Sequence, residues 1–200
     1  MVAEMAQIPR KQAKTINLGM MYGMGVNKLA DQLDVDVDTA KELTKQYHSR
    51  VPFVKELMSG VSRAVDQKDD GSIRSLKGRK CRFDMFEPLG YELKKALPKK
   101  EARAQYGDTT PLRRAYTYKA LNRLIQASAA DMTKQAMVNI YKNHGKIPLL
   151  SIHDELAFSV EGKAEAEMLS KEMVEAIPLE VPISTSIKIG ENWGNIKEII

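Results

Sequence analysis

Residues 113 to 142 contain no glycine or proline, and Leu121, Leu124, Ile125, Ala129, Met132, Ala136, Met137 and Ile140 recur among them at the spacing of one helical face. One long helix is therefore expected over this stretch. Directly after it, Ile147 to Val160 reads IPLLSIHDELAFSV, two apolar runs around a short polar centre. That is the pattern of two buried antiparallel strands joined tightly at His153-Asp154-Glu155. A helix over roughly Lys163 to Ala176 and a strand over Ile183 to Ile189 would complete a layer packed on that hairpin. A long helix backed by a small antiparallel sheet commits this part of the chain to an α+β arrangement.

The preceding part reads as mostly helical. Pro9 suits a first helical turn and Gly23 a left-handed exit, which bounds a helix over Pro9 to Tyr22. Further helices are expected over Asn27 to Leu33, over Thr39 to Arg50 with Asp38 as N-cap, and from Pro52 onward, where Val54, Leu57, Val61 and Val65 share a face. Residues 71–83 change period and predict a hairpin turning at Lys77-Gly78, with Arg74, Lys77, Arg79, Lys80 and Arg82 along it. Residues 84–111 carry Pro88, Gly90, Pro98, Gly107 and Pro111 among many charges. They read as an insertion with one short helix within 91–104. Two domains are thus expected, 1–112 and 113–200.

Composition narrows the function classes. No run of eighteen apolar residues appears, so no membrane-spanning helix or membrane partner is expected. Cys81 is the only cysteine, which excludes an intrachain disulfide and a zinc cage and suits a cytoplasmic protein. The net charge of +5 is unevenly spread, with fifteen Lys and Arg against seven Asp and Glu between Lys68 and Arg123. Such a central field favours a polyanion, although a solvated Lys-rich loop would look the same.

Three constellations carry chemistry. Arg10, Lys14, Leu18 and Tyr22 recur every four residues and form a slowly spiralling stripe on their helix. Two cations near a helix N-terminus suit a triphosphate, and an apolar and an aromatic side chain beyond them suit a sugar and a base. On spacing alone, an ordinary amphipathic helix with solvated Lys and Arg and with Leu18 and Tyr22 in the core is the commoner reading. Asn122 and Gln126, four apart, could reach the minor-groove acceptors that all base pairs share, or be plain surface polar residues. Asp154 and Glu155 place carboxylates at a hairpin tip, where Asp154 offers the hard oxygen that Mg²⁺ prefers, and His153 could meet a phosphate or shape the turn.

The string Arg10-x-x-x-Lys14-x-x-x-Leu18-x-x-x-Tyr22-Gly23 resembles the fingers helix of family A DNA polymerases. Leu121-Asn122-x-x-x-Gln126-x-x-Ala129-Ala130-Asp131 resembles that family's palm helix, and His153-Asp154-Glu155 its palm hairpin motif. Gly190-Glu191-Asn192-Trp193 is similar to its C-terminus. The resemblance implies an incomplete right-hand polymerase fold, with an arrangement that would suit a phage, acting in template-directed DNA synthesis. It implies that Arg10 and Lys14 hold the dNTP phosphates, Tyr22 the nascent pair, and Asn122, Gln126 and His153 the primer–template DNA. Arg79 and Lys80 would contact DNA from the family's basic hairpin. Asp154, with Glu155 beside it, would be the catalytic metal ligand of a two-Mg²⁺ site. Leu18 departs from the family, which has Phe or Tyr there. The family's second catalytic aspartate lies in an upstream Asp-Tyr-Ser-x-x-Glu segment, and these 200 residues contain none. An upstream polymerase fragment, with the thumb and the rest of the palm, is therefore an expected partner. The alternatives are a non-catalytic DNA-binding remnant of a polymerase and a plain helical protein.

Overall fold

The computed structural model describes residues 9–90 and 95–198, with the side chains of Arg10, Lys11 and Glu198 outside that description. The chain divides into two compact units, Met1–Ile125 and Gln126–Ile200, and the division falls inside one long helix.

The first unit starts with four helices: α1 Arg10–Met21, α2 Val26–Leu33, α3 Val37–Arg50 and α4 Pro52–Asp66. Pro9 precedes α1 with φ −53 and ψ 142, and Gly23 leaves it at φ 69. The Gly23 N–H donates to the Met20 carbonyl at 3.1 Å and the Met24 N–H to the Gly19 carbonyl at 2.8 Å. That pair of bonds is a Schellman closure, which needs a left-handed residue where glycine stands. The N-cap of α3 is Asp36 rather than the expected Asp38, because its carboxylate accepts from the Thr39 N–H at 2.8 Å and the Thr39 hydroxyl at 2.6 Å. Pro52 opens α4 at a position where no N–H is required. Ile16, Met20, Leu29, Ala40, Tyr47 and Val54 form the core between these helices.

The hairpin β1 Ser72–Arg74 and β2 Lys80–Arg82 pairs Ile73 with Cys81. Its turn runs over Ser75 to Gly78, with the Gly78 N–H on the Ser75 carbonyl at 2.9 Å and Gly78 itself at φ 81. Val65, Ile73, Phe83 and Ala120 bury one face of this hairpin.

The stretch expected to be an irregular insertion is ordered around β3 Met85–Pro88, β4 Leu97–Pro98, α5 Lys99–Tyr106 and β5 Leu112–Arg114. The strands form an antiparallel sheet in the order β4-β3-β5. The helix expected within 91–104 begins at Lys99, and residues 91–94 lie outside the described residues. Arg103 holds the end of this helix by donating to the carbonyls of Asp108 at 2.7 Å and Thr110 at 2.6 Å.

The long helix, α6, spans Ala120–His144, shorter than the expected 113–142 at its start. Residues 112–114 are taken by β5, Tyr116 is left-handed at φ 62, and Thr117–Lys119 make a 3₁₀ turn. In the second unit α6 is followed by β6 Leu150–Ile152, β7 Glu155–Ala157 and α7 Lys163–Val174. The end of α6 is tied to α7 by Asn143 and His144, each 2.9 Å from the Glu172 carboxylate. Beyond it, Lys146 pairs with Glu165 at 2.5 Å. The expected strand over 183–189 is only β8 Lys188–Ile189, which pairs with β9 Lys197–Glu198.

Candidate functional site

In the first unit, α1 sorts its side chains cleanly. Ala13, Ile16 and Met20 are buried, whereas Lys14 is exposed, Leu18 is 41% exposed and Tyr22 is half-buried. The core is therefore made by the positions beside the stripe, and Leu18 is not part of it. Arg10 opens the helix, and its side chain lies outside the described residues. The rear of the helix is anchored where the Tyr47 hydroxyl donates to Asn17 Oδ1 at 2.7 Å. Burial raises the Tyr47 pKa, so this phenol remains a donor.

The basic hairpin is less open than its sequence suggests. Arg74 donates to the Gly78 carbonyl at 2.7 Å and thereby closes its own turn. Lys80 is 2.9 Å from Asp70, whose carboxyl is pulled down to about 2 by the hydrogen bonds from Lys80 and then Ser72. Lys80 is thus partly neutralised before any phosphate arrives. Arg79 is exposed just before β2, and its backbone N–H donates to the Ser75 hydroxyl at 3.1 Å.

Asn122 is half-buried and Gln126 exposed, both on α6, one turn apart as expected. Asp131, further along the same helix, is buried.

In the second unit, Ile152 pairs with Glu155, which leaves His153-Asp154 as a two-residue turn and puts Glu155 in the strand. Two-residue hairpins need a positive φ at their first central residue, and His153 supplies it at φ 55. His153, Asp154 and Glu155 are all exposed. The strands expected to be buried are not: Leu149 is 69% exposed, and Leu150 and Ile152 are nearly half exposed. Nothing in the sequence pattern could reveal this, because apolar runs report that a strand is to be covered and not what covers it.

Asp154 has the oxygen chemistry of a Mg²⁺ ligand, but the donor set stops there. Among the described residues no three His, Cys, Asp or Glu side chains cluster closely enough to hold a metal ion. The described residues also contain no helix long and apolar enough to cross a membrane.

Residues 1–195 match the family model described as DNA polymerase family A. The chain is 31% identical to a DNA-directed DNA polymerase of Pseudomonas phage M6 over 98% of its length, which is 31% of that protein. It is also 31% identical to the thermostable DNA polymerase I of Thermus aquaticus, over 94% of this chain and 21% of that one. Among solved structures, it resembles the POL domain of Pol1 from M. smegmatis in complex with DNA primer-template and dNTP, with a TM-score of 0.65 and 29% identity. That match covers 90% of this chain and 31% of the other. The chain thus spans between a fifth and a third of these relatives.

Proposed function

The chain belongs to DNA polymerase family A, and on that premise we propose that it is the fingers and C-terminal palm portion of a template-directed DNA polymerase. The observation that carries the reading is the sorting of α1, where Lys14 and Leu18 are exposed while Ile16 and Met20 fill the core.

In this reading Arg10 and Lys14 bind the triphosphate of the incoming dNTP. Their charges offset the negative charge that accumulates as the primer 3′ hydroxyl attacks the α-phosphorus and pyrophosphate leaves. Tyr22, at the end of the helix, offers its ring to the nascent pair. Leu18 offers the sugar an aliphatic contact and no stacking face. Asn122 and Gln126 hydrogen-bond the minor-groove edge of the primer–template, where a shared acceptor pattern permits contact with every sequence. Arg79 and Lys80 are the hairpin cations that meet the DNA backbone, and Asp70 competes for Lys80.

Asp154 would be one ligand of Mg²⁺, with Glu155 adding negative charge beside it. The metal, when bound, supplies Lewis-acid activation of the hydroxyl and the phosphate. The remaining carboxylate belongs to the upstream palm. The exposed apolar side chains in and just before β6 support that partner, since a lone two-stranded hairpin with uncovered Leu149, Leu150 and Ile152 has too little burial to be stable by itself.

Primer extension tests the proposal. The 200 residues alone are expected to give no templated extension, and addition of the upstream palm and thumb of the same polymerase is expected to give it. In the assembled enzyme, Lys14→Ala should raise the dNTP KM by about tenfold or more, as expected for loss of a charge-assisted contact. Asp154→Asn should reduce kcat by roughly 10²–10³-fold. Salt-sensitive DNA binding without extension in the assembled state, unchanged by Asp154→Asn, would mark the chain as a non-catalytic remnant instead.

A further inference from the structure

In the second unit, Glu165, Leu169 and Glu172 lie on one face of α7, since residues seven apart on a helix drift by only about 20°. Leu169 is buried, and the glutamate side chains on either side of it are mostly covered, Glu165 at 19% and Glu172 at 20% exposure. This face therefore carries carboxylates where well-packed apolar residues would serve stability as well. Each carboxylate has a specific use.

The two oxygens of Glu165 go to two different pieces of chain. Oε1 pairs with Lys146 Nζ at 2.5 Å, and Oε2 accepts from the Glu161 backbone N–H at 2.8 Å. Lys146 stands in the chain entering β6, eight residues before Asp154, and Glu161 in the chain leaving β7, seven residues after it. One carboxylate thus holds both legs of the hairpin whose turn carries Asp154. The hydrogen bonds from Lys146 and then Glu161 keep the Glu165 carboxyl below its usual range, so the clamp is charged at neutral pH. Two turns further along α7, Glu172 holds Asn143 and His144 and so fixes the end of α6, from which the first leg departs.

The hairpin has little else to hold it within this unit. Its strands have three residues each, and Leu149, Leu150 and Ile152 are exposed. Mg²⁺ demands near-ideal ligand geometry, and a displacement of about 1 Å at a reacting site can cost about 10²-fold in rate.

We propose that Glu165 is a positioning residue, whose carboxylate fixes both legs of the β6–β7 hairpin and thereby the place at which Asp154 is presented. The proposal rests on the polymerase reading in taking Asp154 as a metal ligand.

Two measurements test it. In the 200-residue chain without metal, the reporter is the Leu149 amide, which donates to the Ala157 carbonyl at 2.8 Å where the two legs meet. Glu165→Ala should speed its exchange about tenfold and leave the α6 amides unchanged. In the assembled enzyme the same variant should lower kcat for primer extension about tenfold and raise the half-saturating Mg²⁺ concentration several-fold, with the dNTP KM unchanged. Glu165→Gln keeps an acceptor for one leg and Lys146→Met frees only the other, so both should fall between the native chain and Glu165→Ala. Exchange accelerated evenly across β6, α6 and α7, or a lower kcat with unchanged Mg²⁺ dependence, would reduce Glu165 to general stability and overturn the proposal. Native extension and Mg²⁺ dependence in Glu165→Ala would overturn it and leave the polymerase reading standing. Absent extension by the native chain in the assembled enzyme would sink that reading and the positioning role with it, even where Leu149 exchange reports the clamp.

Discussion

The guanidinium of Arg114 occupies the space in which Gly71 would carry a β-carbon. From there Arg114 donates to the Asp69 carbonyl at 2.6 Å and the Phe83 carbonyl at 3.0 Å, and its other side lies 5.0 Å from the Phe86 ring centroid. One side chain thus locks the basic hairpin to the inserted sheet. Gly71 also sits at φ 52, so Gly71→Ala meets both a backbone penalty and the displaced guanidinium. The left-handed penalty is about 1 kcal/mol, and the lost charge-assisted hydrogen bonds add roughly 1.5–3 kcal/mol. Thermal denaturation should show a melting temperature lower by about 10 °C. Arg114→Ala made on top of Gly71→Ala should then cost much less than Arg114→Ala alone, because the two remove the same contacts.

That relationship was invisible in the sequence, and the reason is general to this chain. Pro9, Gly23 and Gly78 act on their own neighbours, so the ends of α1 and the site of the hairpin were legible. Arg114 acts on a carbonyl 45 residues away, and no local pattern encodes such a tie. The inserted sheet was missed for a related cause: its strands have two to four residues, too few to display a period of two. Asp36 and Asp38 were equivalent by type, and only the placement of the Thr39 N–H separates them. The stripe on α1 was legible as a pattern but ambiguous in direction, and burial falls on Ile16 rather than on Leu18. At His153 the residue type gave only a weak hint of a positive φ, which histidine adopts more readily than most residues.

Tyr47 connects the core to the rear of the proposed nucleotide helix. Its hydroxyl reaches Asn17 at 2.7 Å while its ring is buried beneath α1. Tyr47→Phe keeps the ring and leaves the Asn17 carbonyl oxygen without this donor, at a cost of about 1 kcal/mol. Hydrogen exchange should report faster opening of the α1 amides, with the core amides of α3 slowed or unchanged relative to them. Uniform acceleration across both helices would mean that the bond supports the whole unit rather than α1.

Asp70 makes the hairpin acid-sensitive. Its folded pKa of about 2 lies below the unfolded value of about 3.9, so folding favours the carboxylate. That contribution is fully present above about pH 4 and is lost as pH falls toward 2. Asp70→Asn should flatten the acid side of the stability curve, measured by denaturant unfolding at a series of pH values. Glu165 and Glu172 are lowered by their own partners in the other unit and will keep some acid dependence in the variant. Near neutral pH the same substitution releases Lys80, and duplex DNA should bind more tightly with a steeper salt dependence. A flattened curve without any gain in DNA affinity would separate Lys80 from the DNA-binding surface.

His153 has two candidate roles that one pair of substitutions can divide. As a turn residue it contributes a left-handed backbone at φ 55, and as a side chain it stands exposed beside Asp154. His153→Gly satisfies the backbone better and removes the imidazole. His153→Val removes the imidazole and opposes the backbone, since β-branched residues are the least tolerant of positive φ. If the imidazole only shapes the turn, the glycine variant should keep primer extension in the assembled enzyme and the valine variant should lose it. If it meets a primer phosphate, both variants should extend poorly. In that case the glycine variant should retain the β6–β7 hairpin by amide exchange and show its defect as a raised Kd for primer–template DNA. The proposed DNA contact predicts the second outcome, and normal extension by His153→Gly would assign the histidine to the turn alone.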